Sequence, residues 1–291
     1  MWPLTIALVA LIAHQQEPPD AYSKRISKWR QDVEADLKTD DGWLAVNGLY
    51  WLPQGTTKFA QDAHGVFVMP FAGNTGTIGS FVRNADRVSL KTLTEGPITL
   101  NGNPASEADL RTDADGNPDK VGLGAITMTV IRRGSRIGIR VFDLNSPARK
   151  NFTGLKWFPI QAVYCLKARY VPYAKPKQMP ITNVLGDTAP VNNPGYVLFT
   201  LKRKTYRLEA QDAGSGLFFN FHDLTSGKST YEAGRFLDAP KPVNGFVTLD
   251  FNQATNPPCA FTKFATCPLP PKSNFLKVEI LAGEKKYASH D

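Results

Sequence analysis

The residues best suited to chemistry fall in one irregular stretch, Tyr231 to Lys285. The candidates within it are the carboxylates Asp250 and Glu284, the cations Arg235 and Lys285, the phenol of Tyr231 and the amides Asn252, Asn256 and Asn274. Two carboxylates suffice for acid/base work of the glycoside-hydrolase or lyase type. Arginine, lysine and tyrosine grip anions or sugar hydroxyls, and amides add further hydrogen bonds. The same set also reads as a clamp, with Arg235, Asp250, Glu284 and Lys285 paired to one another and pinning a loop. Three functions therefore fit: binding of a small polar or anionic, sugar-like ligand; a hydrolase or lyase using Asp250 and Glu284; and a structural domain with no small-molecule site. Asp250 and Asn252 stand two apart in a strand-like run and so leave the same face. The proline-rich loop from Asn256 to Pro271 is long enough to cover that face. A buried Asp250 then needs a partner, and Arg235 and Lys285 are the nearest in sequence. The expectation is that Arg235, Asp250, Asn252 and Glu284 converge.

Cys259 and Cys267 lie in the same loop, and a bridge between them closes a ring of nine residues. Such a bridge stabilises by about 2–3 kcal/mol in the loop-entropy picture. A disulfide is the first reading, a packed thiol pair the second and a metal site the third, because no second pair of ligands accompanies them. Cys165, between Tyr164 and Leu166, reads as a small buried hydrophobe in a strand. Histidines number four (His14, His64, His222 and His290), too few and too scattered for a zinc site. The run Asp113-Ala-Asp115-Gly116-Asn117-Pro118-Asp119 starts like a calcium loop. Pro118 stands where that loop needs glycine, and Gly124 where it needs the closing glutamate, so it reads as an acidic turn. There is no nucleophile elbow, no phosphate loop and no H-E-x-x-H motif. No metal or cofactor is expected.

These residues need elements to position them. Hydrophobic content of 42% and charged content of 21% are those of an ordinary globular chain with a sizeable core. The net charge of +8 points to anionic partners such as envelope lipid, polysaccharide or nucleic acid. Lys and Arg are spread along the chain, however, with only Lys202-Arg203-Lys204 as a cluster, so the charge reads as solubilising and no nucleic acid is expected. Leu4 to Ala13 is an apolar run too short to span a bilayer, followed by polar residues. It reads as a signal peptide ending near residue 13, which places the mature chain in the periplasm or outside the cell with no membrane span. Ile26, Trp29, Val33 and Leu37 recur at helical spacing and predict one helix over Tyr22–Leu37, with Ser23 as its N-cap. After Gly42 come about a dozen short β-branched or aromatic runs bounded by Gly, Asn, Asp and Pro. They include Val66–Phe71, Phe246–Phe251 and Leu276–Leu281. The fold class is mainly β, an antiparallel sandwich or barrel-like set of sheets with one N-terminal helix docked on them. Residues 20–291 form a single β-rich domain with a soft internal boundary near 154.

Gly234-Arg235-Phe236-Leu237, Asp250-Phe251-Asn252, the loop Asn256–Pro271, Asn274 and Ala282-Gly283-Glu284-Lys285 together resemble a bacterial and archaeal family known as domain of unknown function number 1684. Trp29-Arg30, Gly42-Trp43-Leu44, Gly48 to Leu52, Trp157-Phe158-Pro159 and Tyr206-Arg207-Leu208 are similar to it too. The resemblance implies positions, not roles, since the family carries no agreed activity.

Overall fold

An amphipathic stripe needs a surface to bury it, and in the computed structural model that surface comes from the far end of the chain. The structure describes residues 17–61, 67–72, 76–93 and 98–287. The leader read at residues 1–13 lies outside them. Helix α1 (Pro19–Leu37) starts three residues earlier than its stripe suggests. Pro18 is the N-cap and Pro19 opens the first turn, where its missing N–H costs nothing. Ser23 therefore lies inside the helix and is not its cap. Tyr22, Ile26 and Leu37 are buried, while Trp29 and Val33 are half-buried.

The first half of the chain supplies β1 (Val46–Trp51), β2 (Gly55–Gln61), β3 (Phe67–Val68), β4 (Thr77–Asn84), β5 (Arg87–Thr92) and β6 (Ile98–Leu100), then β7 (Asn103–Pro104), β8 (Glu107–Leu110), β9 (Lys120–Leu123), β10 (Ile126–Arg133) and β11 (Arg136–Asp143). They form a six-stranded sheet, β1-β11-β10-β9-β6-β7, and a five-stranded sheet, β3-β2-β4-β5-β8. One core joins them: Phe59, Phe81 and Leu90 from one sheet meet Val121, Met128 and Ile139 from the other. This is sandwich packing, with inward residues of two antiparallel sheets interdigitating.

After a helical turn, α2 (Pro147–Lys150), the second half supplies β12 (Cys165–Thr182), β13 (Thr188–Leu201), β14 (Lys204–Glu209), β15 (Gln211–Asp212), β16 (Gly216–Phe221), β17 (Arg235–Pro240) and β18 (Phe246–Asp250). They form a sheet ordered β14-β13-β12-β18 and another ordered β15-β16-β17. A second core, separate from the first, lies between them and includes Val197, Phe199, Phe219, Phe221, Leu249 and Phe251. All ladders between named strands are antiparallel, and no sheet closes on itself among the described residues. The chain is thus mainly β with one N-terminal helix, built as open sheets and not as a barrel.

Three sequence expectations change. Val66–Phe71 contracts to the two residues of β3 among those described. The strand read to Phe251 ends at Asp250, because Phe251–Gln253 turns into a 3-10 helix with Asp250 as its N-cap. Leu276–Leu281 alternates as a strand does, with Leu276, Val278 and Ile280 buried, yet it joins no sheet. Its backbone bonds instead to the segment after β16: Leu276 N to His222 O at 2.7 Å, and Leu224 N to Val278 O at 3.1 Å.

The proline-rich loop does not cover the strand face of Asp250. It packs against the first half, with Ala260 and Phe261 against Leu37 and Leu44. Thr262 Oγ1 donates to Val46 O at 3.1 Å, and Arg133 Nε donates to Thr266 Oγ1 at 2.9 Å. The loop therefore fills the seam between the halves, and α1 covers Asp250. Ile26 is fully buried. Ile26→Ala should lower unfolding free energy by about 2–4 kcal/mol in urea denaturation. A loss under about 0.5 kcal/mol, the level of an ordinary surface change, would mean that α1 is not docked.

Candidate functional site

The eight polar residues singled out in the sequence sort into separate hydrogen-bond sets. The first is built by α1 and the end of β18. Asp250 is buried and accepts from Tyr22 Oη at 2.9 and 3.0 Å, from the Asn252 backbone N–H at 3.1 Å and from Asn252 Nδ2 at 3.1 Å. Asn252 is fully buried. Its Oδ1 accepts from Gln161 N at 3.0 Å, and its Nδ2 donates to Gln161 O at 2.9 Å and to Tyr22 Oη at 2.8 Å. The amide thus imitates a strand neighbour for Gln161. The Tyr22 phenol is held well above its ordinary range by burial and by the adjacent Asp250 charge. Two turns along α1 from Tyr22, Arg30 donates to Phe158 O at 3.0 Å and to Asn252 O at 3.3 Å.

The second set surrounds Arg235 at the start of β17. Its guanidinium is fully buried, and Nη2 meets Asp223 Oδ2 at 3.2 Å and Ile280 O at 3.0 Å while Nη1 donates to Ala282 O. Asp223 in turn accepts from Ile280 N at 2.7 Å and from Thr225 Oγ1 at 2.6 Å. Desolvation pulls the Arg235 pKa down, and the charges of Asp223 and Glu284 oppose that. The preceding Gly234 has φ +98°, and a Cβ there would lie 2.4 Å from Phe221 O. Only glycine lets the chain enter β17 at this angle.

The third set joins the 256 loop to the tail. Glu284 is 1% exposed and takes two bonds from Asn256, from the backbone N–H at 2.8 Å and from Nδ2 at 2.6 Å. Asn256 Nδ2 also donates to Lys285 O at 2.9 Å. Both partners of that nitrogen are acceptors, which fixes the amide orientation and leaves Oδ1 buried without a partner. Burial pushes the Glu284 carboxyl up to about 8, against the two Asn256 bonds and the Arg235 charge.

Asn274 stands apart and staples two strands, accepting from Glu209 N at 2.7 Å and donating to Glu209 O and Asn220 O, both at 3.0 Å. Tyr231 donates to Cys259 O at 3.0 Å. Lys285 lays its ammonium 4.9 Å from the Phe158 ring centroid and pairs with none of the carboxylates. The expected convergence of all four central residues is thus corrected. Arg235 and Glu284 are electrostatic neighbours, but Asp250 and Asn252 belong to α1.

No disulfide is present: all three cysteines are free. Cys259 and Cys267 nevertheless touch, the Cys259 N–H donating to Cys267 Sγ at 3.1 Å. A hydrogen bond between the two thiols lowers the Cys259 pKa and raises that of Cys267. Cys165 opens β12 opposite Asp250, half-buried, and desolvation followed by the Asp250 charge lifts its thiol to about 11. Among the described residues no group of His, Cys, Asp and Glu could hold a metal.

One cleft touches these sets. It has a volume of 520 Å³ and lies between the C-terminal half of α1, residues 39–43, β17 and the 255–261 loop. Trp29, Trp43, Phe236 and Phe261 give it aromatic walls, and Asp36, Asp41, Asp238 and Glu284 give it carboxylates. Asn256 and Glu284 are its most buried polar liners, at 4% and 1% exposure. No Lys, Arg or His lines it among the described residues. Lys120 meets Asp41 at 2.9 Å, and desolvation by the cleft walls raises the Asp238 carboxyl. Sequence reading missed Trp29, Trp43, Phe236 and Asp238 as site residues. Three are aromatic: Trp29 entered as part of a helix stripe, and Trp43 and Phe236 only within the motifs of the family resemblance.

Residues 150–285 match the family described as "Protein of unknown function (DUF1684)". The chain belongs to this family. The match spans β12–β18, the 256–271 loop and the tail. The motifs before residue 150, Gly42-Trp43-Leu44 among them, lie outside it. A solved solution structure of an uncharacterised protein from Haloarcula marismortui is 31% identical, over 47% of this chain and 78% of that one. Its TM-score of 0.40 is too low to carry structural inference. No curated protein matches the chain.

Asp250→Asn should cost about 1–3 kcal/mol of stability, since an amide cannot accept from Tyr22 and Asn252 at both its ends. An unchanged urea midpoint would remove Asp250 from the clamp. Glu284 sets a pH slope of known sign. Its pKa is raised on folding to about 8 from the ordinary glutamate value of 4.5, so between these values the unfolded chain loses the proton first. Stability should fall as pH rises through that window, by a few kcal/mol in all, and level off above it. Glu284→Gln should abolish the slope in urea melts taken from pH 4.5 to 9.

Proposed function

We propose that the protein binds a small polyhydroxylated, sugar-like ligand in the cleft between α1 and β17, and that it does so in the cell envelope. The observation that carries this reading is the lining: aromatic faces beside carboxylates and a deeply buried amide. Sugars present apolar C–H faces to aromatic rings and hydroxyls to carboxylates and amides. A cleft of 520 Å³ falls in the usual range for small ligands. The lining aspartates Asp36, Asp41 and Asp238, with no lining cation among the described residues, count against an anionic ligand.

Acid/base catalysis by Asp250 and Glu284 draws less support. Asp250 is saturated by Tyr22 and Asn252, and the two carboxylates share no hydrogen-bond partner. The structural reading has its own observation, namely that Arg235, Asn252 and Asn274 are fully buried and bonded mainly to backbone. Those residues hold the fold, and the cleft is left for the ligand.

The envelope location rests on the apolar run Leu4–Ala13 and its polar sequel. Export would expose the touching thiols of Cys259 and Cys267 to oxidation. Protein recovered from the envelope should then be 2 Da lighter than the fully reduced chain, with Cys165 alone reactive to iodoacetamide. Two or more alkylated cysteines in that material would count against an envelope-formed bridge.

Titration calorimetry against neutral sugars and the matching uronic acids tests the ligand. Neutral sugars should bind, uronic acids should bind more weakly, and Trp43→Ala should lower affinity on the order of tenfold when measured well below the variant's own melting temperature, which the loss of Trp43 packing also lowers. Failure of every neutral sugar, or tighter binding of uronic acids, would overturn the proposal.

A further inference from the structure

Away from the end at Asp250, which α1 covers, the outer face of the β14-β13-β12-β18 sheet is open to solvent. Its inner face supplies Ala168, Val197, Phe199, Leu208, Val247 and Leu249 to the second core. Strand alternation then sends the residues between them outward. Registration across the four strands lines up Phe246, Arg169, Leu198 and Arg207 in one row. The row beside it carries Lys167 opposite Thr248, and Thr200 opposite Thr205. Of these eight residues seven are exposed, Leu198 is half-buried and none is acidic.

Three cations on this face differ in how they are held. Arg207 lies 3.5 Å from the Tyr196 ring centroid and is braced by Glu209 and Tyr173. Lys167 sits 4.3 Å from the Phe246 ring centroid. Arg169 has no ion pair or hydrogen-bonded side-chain partner among the described residues. At one end of the face the β13–β14 hairpin turns on Lys202-Arg203, with φ of +50° and +63°. Both central residues of this tight turn are left-handed, a conformation that favours Asn-Gly. Two basic side chains stand there at a conformational cost, beside Lys204. At the other end, Asn244-Gly245 makes the turn flanked by Val243 and Phe246, which are 69% and 40% exposed.

We propose that this face docks the protein on an anionic lipid bilayer. The proposal stands apart from the cleft between α1 and β17. A flat positive face complements a plane of acidic headgroups, and the apolar pair at its rim suits the layer just beneath them. Single-stranded nucleic acid fits less well. It needs free aromatic faces for its bases, whereas Arg207 and Lys167 already lie on Tyr196 and Phe246. A soluble polyanion would make no use of Val243.

Co-sedimentation of the full chain with phosphatidylcholine vesicles, with and without phosphatidylglycerol, tests it. Binding should require phosphatidylglycerol and fall with added salt. Lys167→Gln with Arg169→Gln should weaken it on the order of thirtyfold. Val243→Ser with Phe246→Ser should also weaken it, while both variants keep the parent melting temperature. Arg169→Glu, at a position with no ion pair to break, repeats the charge arm if the double variant fails to fold. Equal binding to neutral vesicles would overturn the proposal, as would binding that survives these substitutions and so comes from the apolar N-terminus. An oligonucleotide bound as tightly as the vesicles, with no dependence on Val243 and Phe246, would also overturn it.

Discussion

A buried backbone without a ladder is the constraint that shapes this protein. From Phe251 onward the chain joins no sheet, yet Leu276, Val278, Ile280 and Ala282 lie in the second core. Each peptide group in that tail still needs a partner, because an unpaired buried amide or carbonyl costs as much as a lost hydrogen bond. Side chains supply many of those partners: Arg235 takes Ile280 O and Ala282 O, and Asp223 takes Ile280 N. Glu284 takes Asn256 N, and in the opposite sense Asn252 of the tail takes both backbone groups of Gln161, outside it. A buried guanidinium tolerates this place because its two terminal nitrogens meet a carboxylate and two carbonyls, while Nε stays buried with no partner among the described residues.

That constraint explains what the sequence displays most clearly and what it disguises. A dense group of Arg, Asp, Asn and Glu in an irregular segment has the composition of an active site. Here most of the group replaces a missing strand. The two demands look alike in a sequence, since both call for hydrogen-bonding side chains at places where the backbone leaves regular structure. Gly283 makes the same point. At φ +78° its Cβ would stand 2.5 Å from Ala254 O and 2.7 Å from Phe251 O, so the glycine serves close backbone approach and not a ligand.

The antiparallel β class was legible because alternation and turn residues are local signals. The helix was legible for the same reason, although Pro18-Pro19 moved its start. Which strands pair within each half was not, because that depends on contacts across long distances. The partner of Asp250 was hidden too: Tyr22 lies 228 residues away, while the sequence offered Arg235 and Lys285 close by. The cleft was hidden because its walls come from α1, residues 39–43 and β17, and no single window contains them. The long apolar alternation of Leu276–Leu281 gave the opposite error, a strand signal from a segment that has the burial of a strand but no neighbouring strand to pair with.

The distance between Tyr22 and Asp250 also sets a timetable. Helix α1 precedes every strand, so Tyr22 must wait for residues 250–252 before it has its partners. At roughly 5–20 residues per second, that wait is on the order of ten to forty seconds. Over that interval the first sandwich, whose strands all lie before residue 144, has its own core to assemble, while α1 trails from it with Tyr22, Ile26 and Trp29 in water. Helix α1 therefore completes its packing late, and until then the nascent chain offers an amphipathic segment to whatever chaperone or translocation machinery meets it first.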